Sequence, residues 1–178
     1  MAEDARFRWI VDTMAVRPGD RVLEIGPGAS ESIACVARAL DAGHYVGIDR
    51  SATAITRATE RHAALIDSGR VRLVHAGLEH LRAGRAVAGV DFGAGTFDKI
   101  LAVNVNLFWT RRPDAELALV RDLLAAAGTL NLFYGYGSPG ATSPKPPPGT
   151  LIQHLEAAGF SARTVTAGDL LGIIARPR

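Results

Sequence analysis

A chain of 178 residues suits one domain with a sizeable core, and 48% hydrophobic with 21% charged residues is the composition of a soluble globular protein. A formal net charge of +2, with a sequence pI near 9.0 and no concentrated basic stripe, argues against a nucleic-acid partner. The single cysteine, Cys35, rules out an internal disulfide or a cysteine-built metal cluster, no segment reaches the roughly 18 apolar residues of a membrane span, and the acidic start Met1-Ala2-Glu3-Asp4 is not a secretion signal, so cytoplasm is the expected location.

In chain order, Arg6 to Val16 reads as an amphipathic helix, with Phe7, Ile10, Val11 and Met14 at helical spacing. It stops at the turn chemistry of Arg17-Pro18-Gly19-Asp20. A first strand runs from Arg21 to Ile25, and a helix from about Ser30 to Ala42 puts Ile33, Val36, Ala37 and Leu40 on one face. Ser30 is a good capping residue, and Cys35 falls within the apolar pattern as a packed thiol. The second strand is Tyr45 to Asp49. One helix follows from Ser51 to about Asp67 and is stopped by Ser68-Gly69. Val71 to His75 is the third strand, Leu78 to about Ala83 a short helix, and the glycine-rich stretch to Gly95 a loop. A fourth strand, Phe97 to Val103, emerges into Asn104-Val105-Asn106-Leu107-Phe108-Trp109. A strong helix from Pro113-Asp114 to Ala126 ends at Gly128, before a fifth strand from Thr129 to Tyr134. Residues 135–149 form a Pro/Gly-rich loop with Pro139, Pro144, Pro146, Pro147 and Pro148, placed where a lid would sit and equally readable as a polyproline-like connector. A helix from Thr150 to Ala158 and strands at Phe160 to Val165 and Leu170 to Ala175 complete the chain.

Alternating strands and helices demand a parallel sheet covered on both faces. The last two strands are too close in sequence for a parallel crossover, so they form an antiparallel hairpin. The expected fold is therefore a single α/β domain over 1–178, doubly wound in three α/β/α layers, with residues 1–20 as a cladding helix. No internal repeat is visible.

Two stretches carry chemistry. Val22-Leu23-Glu24-Ile25-Gly26-Pro27-Gly28-Ala29-Ser30 is a strand that turns on two glycines into a helix, and Tyr45-Val46-Gly47-Ile48 ends in Asp49. Such a pair holds an adenine nucleoside in a doubly wound sheet. The glycines let backbone approach the ligand, and a strand-end carboxylate accepts from both ribose hydroxyls. These features serve NAD equally well. Glu24 discriminates, because a carboxylate beside the turn attracts a cation-bearing ligand and repels a pyrophosphate. Glu31 stands where the dinucleotide fingerprint wants its third glycine, again against phosphate.

Together these elements resemble the class I S-adenosylmethionine-dependent methyltransferases over nearly the whole chain. The acid-x-Gly-x-Gly-x-Gly motif appears as Glu24-Ile25-Gly26-Pro27-Gly28-Ala29-Ser30, with Ser30 for the third glycine. Phe97-Asp98-Lys99-Ile100-Leu101-Ala102-Val103-Asn104 is similar to the family's FDxIxxxN segment, and Leu123 to Leu130 resembles its LLxPGGxL approach to strand five. The resemblance implies S-adenosylmethionine as cofactor, held by Glu24, Gly26, Pro27, Gly28, Ser30, Asp49, Arg50, Gly77, Leu78 and Asn104. It also implies methyl transfer to an oxygen, nitrogen or carbon of a small molecule. One departure stands out: where the family often reads Gly-Asp-Ala after strand three, with the Asp on the adenine amino group, this chain has Ala76-Gly77-Leu78. Backbone groups there, or Glu79, are the remaining candidates for that contact.

Methyl transfer from a sulfonium needs alignment and exclusion of water, and no metal. The reacting site is expected beyond the carboxyl ends of strands four and five. Asn104 and Asn106 would be nearest the chemistry, with Tyr134 and Tyr136 as walls, Phe108 and Trp109 either as further walls or packed under the following helix, and the N-terminal helix, through Phe7 and Trp9, closing the pocket. Among the histidines, His75 at the end of strand three is best placed for a catalytic role, with a structural role as the alternative, while His62 and His154 read as surface or packing residues; Arg111-Arg112 is either a contact for an acidic substrate or a solvated face. The absence of an Asn-Pro-Pro-Tyr segment after strand four argues against methylation of bases or glutamine. Two rivals stay open: a non-catalytic binding or scaffold protein, and a nicotinamide-dependent oxidoreductase. The oligomeric state is not legible.

Overall fold

The computed structural model describes residues 2–137 and 145–178. The middle of the Pro/Gly-rich loop, with Pro139 and Pro144, lies outside the described residues. Helix α1 (Ala2–Met14) leads into strand β1 (Arg21–Ile25), helix α2 (Ser32–Ala39) and strand β2 (His44–Asp49). Helices α3 (Ala52–Arg61) and α4 (Ala63–Asp67) precede β3 (Val71–His75). A single 3-10 turn (Leu78–His80) and a hairpin of β4 (Arg85–Val87) and β5 (Val90–Phe92) precede β6 (Phe97–Val103). Then come α5 (Leu107–Thr110), α6 (Asp114–Leu123), β7 (Leu124–Tyr134), α7 (Pro148–Ala157), β8 (Phe160–Ala167) and β9 (Leu170–Pro177).

Seven strands form one sheet in the order β3-β2-β1-β6-β7-β9-β8. All are parallel except β9, which runs antiparallel to both β7 and β8. The order reverses between β1 and β6, so their carboxyl ends open the crevice in which such sheets bind ligands.

Alternation along β1 builds two cores. Leu23 and Ile25 face one side, packing with Leu117, Val120 and Leu123 of α6 and Leu151 and Leu155 of α7. Val22 faces the other, with Ile10 and Met14 of α1 and Ile33, Val36 and Ala37 of α2. Each fully buried Leu or Ile contributes about 2 kcal/mol, so the helices are held by their apolar faces more than by propensity.

The structure departs from the sequence reading in four places. The helix expected from Ser51 to Asp67 breaks at His62, whose φ of −114° and ψ of 24° separate α3 from α4. The stretch after Leu78 contains a hairpin rather than a loop, with Val90 and Phe92 buried against the core. Its strands are three residues each, too short for alternation to show. Helix α6 stops at Leu123 although Ala125 to Ala127 are good helix formers, because Leu124 already pairs with Phe97 of β6. A side chain at Gly128 would meet the Phe97 carbonyl at 3.0 Å, so the two backbones run too close for a further helical turn. Finally, Asn106 stands at the N-cap position of a short helix, α5, without a side-chain capping bond, where a strand exit was expected.

Candidate functional site

The glycine turn after β1 is shaped by its own backbone and tied to β2. Gly26 and Gly28 have φ of 68° and 58°, a region L side chains rarely adopt. A Cβ on Gly26 would also meet Val105 Cγ2 at 3.1 Å, so this glycine allows the loop after β6 to close on the turn. Gly26 N–H donates to the Ile48 carbonyl at 2.8 Å. Gly28 N–H donates to Asp49 Oδ2 at 3.0 Å, and Asp49 Oδ1 accepts from Ser51 N–H at 2.9 Å. Asp49 thus fixes the turn and the start of α3 while itself remaining half-buried on the crevice wall.

The far side of the turn is held by the end of α3. Arg61 Nη1 donates to the Ala29 carbonyl at 3.0 Å and its Nη2 is ion-paired with Glu31. His62 Nε2 lies 3.2 Å from the Ser30 carbonyl, which makes that nitrogen the donor. The break at His62 therefore presents the imidazole to the turn. Its burial lowers its pKa, so it stays neutral at physiological pH. Ser30 does not cap α2 as expected. Glu31 occupies the N-cap position, and Ser30 Oγ accepts from Ser32 N–H at 3.2 Å.

Glu24 is 1% exposed and faces α2, away from the crevice. Ser32 Oγ donates to its Oε1 and Tyr45 Oη to its Oε2, each at 2.8 Å. Burial pushes the Glu24 carboxyl up to about 7, against the lowering effect of the two hydroxyls. Tyr45 is pushed well above its ordinary value, first by burial and then by the Glu24 charge.

A cavity of about 730 Å³ opens beyond the carboxyl ends of β1, β2, β3 and β6. Of the residues singled out in the sequence, Gly26, Asp49, Arg50, Gly77, Leu78, Asn104 and Asn106 line it. Glu24, Pro27, Gly28, Ser30 and His75 do not. His75 Nε2 instead lies 3.1 Å from the Arg50 carbonyl, supporting the backbone behind the wall. The amide of Asn104 is engaged with Gly135, Nδ2 to its carbonyl at 3.2 Å and Oδ1 to its N–H at 3.0 Å. It locks the end of β6 to the end of β7 from a backbone with φ 54°.

The expected walls differ. Phe108 is a core residue, Tyr134 Oη donates to the Val105 carbonyl at 3.2 Å, and Tyr136 is exposed. None of these, nor Trp109, lines the cavity. Helix α1 does not close it either: Phe7 is buried in the α2-side core and Trp9 packs edge-on against Phe133 at 5.4 Å. The walls beyond Asn104 are Val105, Leu107, Thr110, Arg111 and Glu116, with Arg111 Nη2 ion-paired to Glu116 at 2.5 Å. Of the two arginines expected to meet an acidic substrate, Arg111 reaches the cavity and Arg112 is exposed off its wall.

The donor set suits a nucleoside that carries a cation. The acids Asp49, Glu79 and Glu116 outnumber the bases Arg50 and Arg111, which is no lining for a pyrophosphate. Ile25, Ile48 and Leu78 supply apolar surface for a flat base. The Glu79 carboxylate lies over Gly77, so close that any side chain at 77 would displace it. Sequence reasoning missed Arg61 and His62 as partners of the turn, and Ser32 and Tyr45 as partners of Glu24. No local motif marks them, because the helix break and the buried carboxylate bring them in.

The sheet order and the acid-tipped second strand define a class I methyltransferase fold. Residues 22–128, more than half of the chain, match the family model of a methyltransferase domain, and the chain belongs to that family. It is 40% identical over 93 residues to a protein-L-isoaspartate O-methyltransferase of Methylorubrum extorquens (strain PA1). That match spans 52% of this chain and 35% of the relative, so the chain matches about a third of that protein's length. A SAM-dependent methyltransferase from Aquifex aeolicus superimposes with a TM-score of 0.73 at 17% identity, over 95% of this chain and 88% of that one. The [4+2]-cyclase SpnF does so with a TM-score of 0.73 at 18% identity, over 98% and 81%. At these identities the structural likenesses show the fold.

Proposed function

We propose that the protein transfers a methyl group from S-adenosylmethionine to an oxygen, nitrogen or carbon atom of a small-molecule acceptor. The observation that carries this reading is Asp49. It stands at the tip of β2 on the cavity wall, fixed by Gly28 and Ser51 N–H groups, with acceptor capacity left for the two ribose hydroxyls. S-adenosylmethionine supplies a methyl group activated by its sulfonium. Gly26 admits the ligand close to backbone, and Ile48 and Leu78 take the faces of the adenine. Glu79 accepts from the adenine amino group in place of the missing acid after β3. Asn106 and Thr110 orient the acceptor beyond the methyl group, while Asn104 acts by locking the floor. The chain's contribution is alignment and a dry wall, which supplies much of the barrier reduction for such a displacement.

The test is isothermal titration with S-adenosylhomocysteine and with NADH, followed by methyl transfer from labelled S-adenosylmethionine to panels of phenols, amines and carboxylates. Tight binding of the first ligand, none of NADH and a labelled product support the reading. NADH binding with no S-adenosylhomocysteine binding overturns it. Because the fold also carries a [4+2]-cyclase, methyl transfer must be read directly. A second reading, transfer to a protein carboxylate, is favoured by the isoaspartate-specific relatives. An L-isoaspartyl peptide in the panel decides between the two.

A further inference from the structure

Tyr45, Glu24, Ser32 and Ser30 form one hydrogen-bonded chain, and counting protons orients it. Tyr45 Oη donates to Glu24 Oε2, and Ser32 Oγ donates to Glu24 Oε1. Ser32 has then spent its hydroxyl proton, so Ser30 is the donor in the 2.5 Å contact between the two serine oxygens. The Ser30 carbonyl in turn accepts from His62. The chain thus runs from β2, beneath β1, to the last residue of the glycine turn, with a 1%-exposed carboxylate at its centre.

Gly47 leaves room for the same groups. A Cβ there would meet Leu73 Cδ2 at 2.9 Å and Tyr45 Cε1 and Pro27 Cγ, each at 3.1 Å. The bare Gly47 therefore leaves space over β2 for the phenol ring and for the turn's proline. We infer that Tyr45 and Ser32 are positioning residues of the methyl-donor site: through Glu24 they set the path of residues 26–30, and they touch neither donor nor acceptor. The inference rests on the donor-site reading above.

A buried carboxylate without a cation persists only when donors saturate it. Both hydroxyls donate to Glu24, so the arrangement suits the ionised form. A proton on either oxygen would face a donor, and one hydroxyl would have to turn away. Because burial holds Glu24 near 7, this change falls within the ordinary pH range. The other titratable and charged groups around the chain are Tyr45 on β2, Asp49 at that strand's tip, Glu31 ahead of α2 and Arg38 on it, and Arg61 with His62 at the end of α3. Of these, His62 is an imidazole whose pKa burial lowers, and it is separated by its own variant.

The experiment measures S-adenosylhomocysteine affinity by calorimetry between about pH 6 and 8.5, with amide hydrogen exchange of residues 26–30 in the free protein. Wild type should lose about tenfold in affinity as pH falls through 7, the value of one hydrogen bond to a charged group. At pH 8, Tyr45→Phe and Ser32→Ala should each bind about tenfold more weakly, exchange faster in the turn and move the midpoint to higher pH. Glu24→Gln should flatten the profile, and His62→Gln should keep the wild-type midpoint. Wild-type affinity, midpoint and exchange in folded Tyr45→Phe and Ser32→Ala would overturn the inference, and if one fails to fold the other decides. Failure of the wild-type protein to bind S-adenosylhomocysteine overturns the donor-site reading instead, while the exchange rates still decide whether the two hydroxyls hold the turn.

Discussion

Glu24 shows how a single side chain can cost stability and still be kept. Its carboxyl titrates near 7 in the folded protein against 4.5 for the ordinary group, so the unfolded chain ionises first as pH rises. The sign follows: folding is unpenalised below about pH 4.5 and loses stability up to about 7, reaching a cost of roughly 3 kcal/mol in the ionised state. Glu24→Gln, which keeps the shape and removes the charge, should therefore melt higher than wild type at pH 8. That gap should close as pH falls from 7 to 4.5, in parallel thermal melts of the two proteins. Asp49 and Gly28 present the opposite case, a site requirement with little weight in the core. Asp49→Ala removes the anchor of Gly28 N–H and the carboxylate on the cavity wall, and Gly28→Val forces a branched residue into φ 58°. Both variants should stay folded by circular dichroism and lose S-adenosylhomocysteine binding. Normal affinity in either would overturn the site assignment.

At the scale of elements, the site depends on how strand ends are fastened. Asn104 joins the tips of β6 and β7 through two hydrogen bonds to Gly135 from a left-handed backbone. Asn104→Ala removes the side-chain partner of the Gly135 N–H and one of the two donors to its carbonyl, Arg6 Nη1 being the other, and adds backbone strain. A loss of roughly 2–4 kcal/mol is expected in chemical denaturation, with acceptor methylation falling through a loosened floor. Asn104→Gly should recover the strain but not the bonds. The paired helices α3 and α4 follow the same logic. The end of α3 sets Arg61 against the Ala29 carbonyl and, at the break, His62 against the Ser30 carbonyl.

For the whole molecule, binding at the switch point should tie the elements together, because the cavity draws its walls from β1, β2, β3, β6 and the segment up to α6. A ligand that binds only the folded state stabilises it by mass action, about 2.7 kcal/mol at one hundred times its Kd. For a chain of this length that is a rise in Tm of roughly 5–10 °C with S-adenosylhomocysteine, read by differential scanning fluorimetry. The rise should vanish in Asp49→Ala and be absent with NADH.

Strand–helix alternation, the two glycines and the acid at the tip of β2 were legible because they are local: periodicity marks buried faces, and a turn with positive φ calls for glycine. β1 and β3 fall where alternation and turn residues placed them, and β9 is antiparallel as the short connection required. What surrounds the turn was not legible. Ser32, Arg61 and His62 reach it from α2 and the α3 end, Tyr45 on β2 reaches Glu24 beside it, and their roles arise from burial and from a helix break that no spacing announces. Of the aromatic residues expected around the pocket, Phe7, Phe108 and Tyr134 were instead drawn into the two cores, where they recover more free energy than on an open crevice, and Tyr136 stays exposed. The direction of Glu24, toward α2 and away from the cavity, was likewise set by the pleat of β1 once the sheet had been covered on both faces.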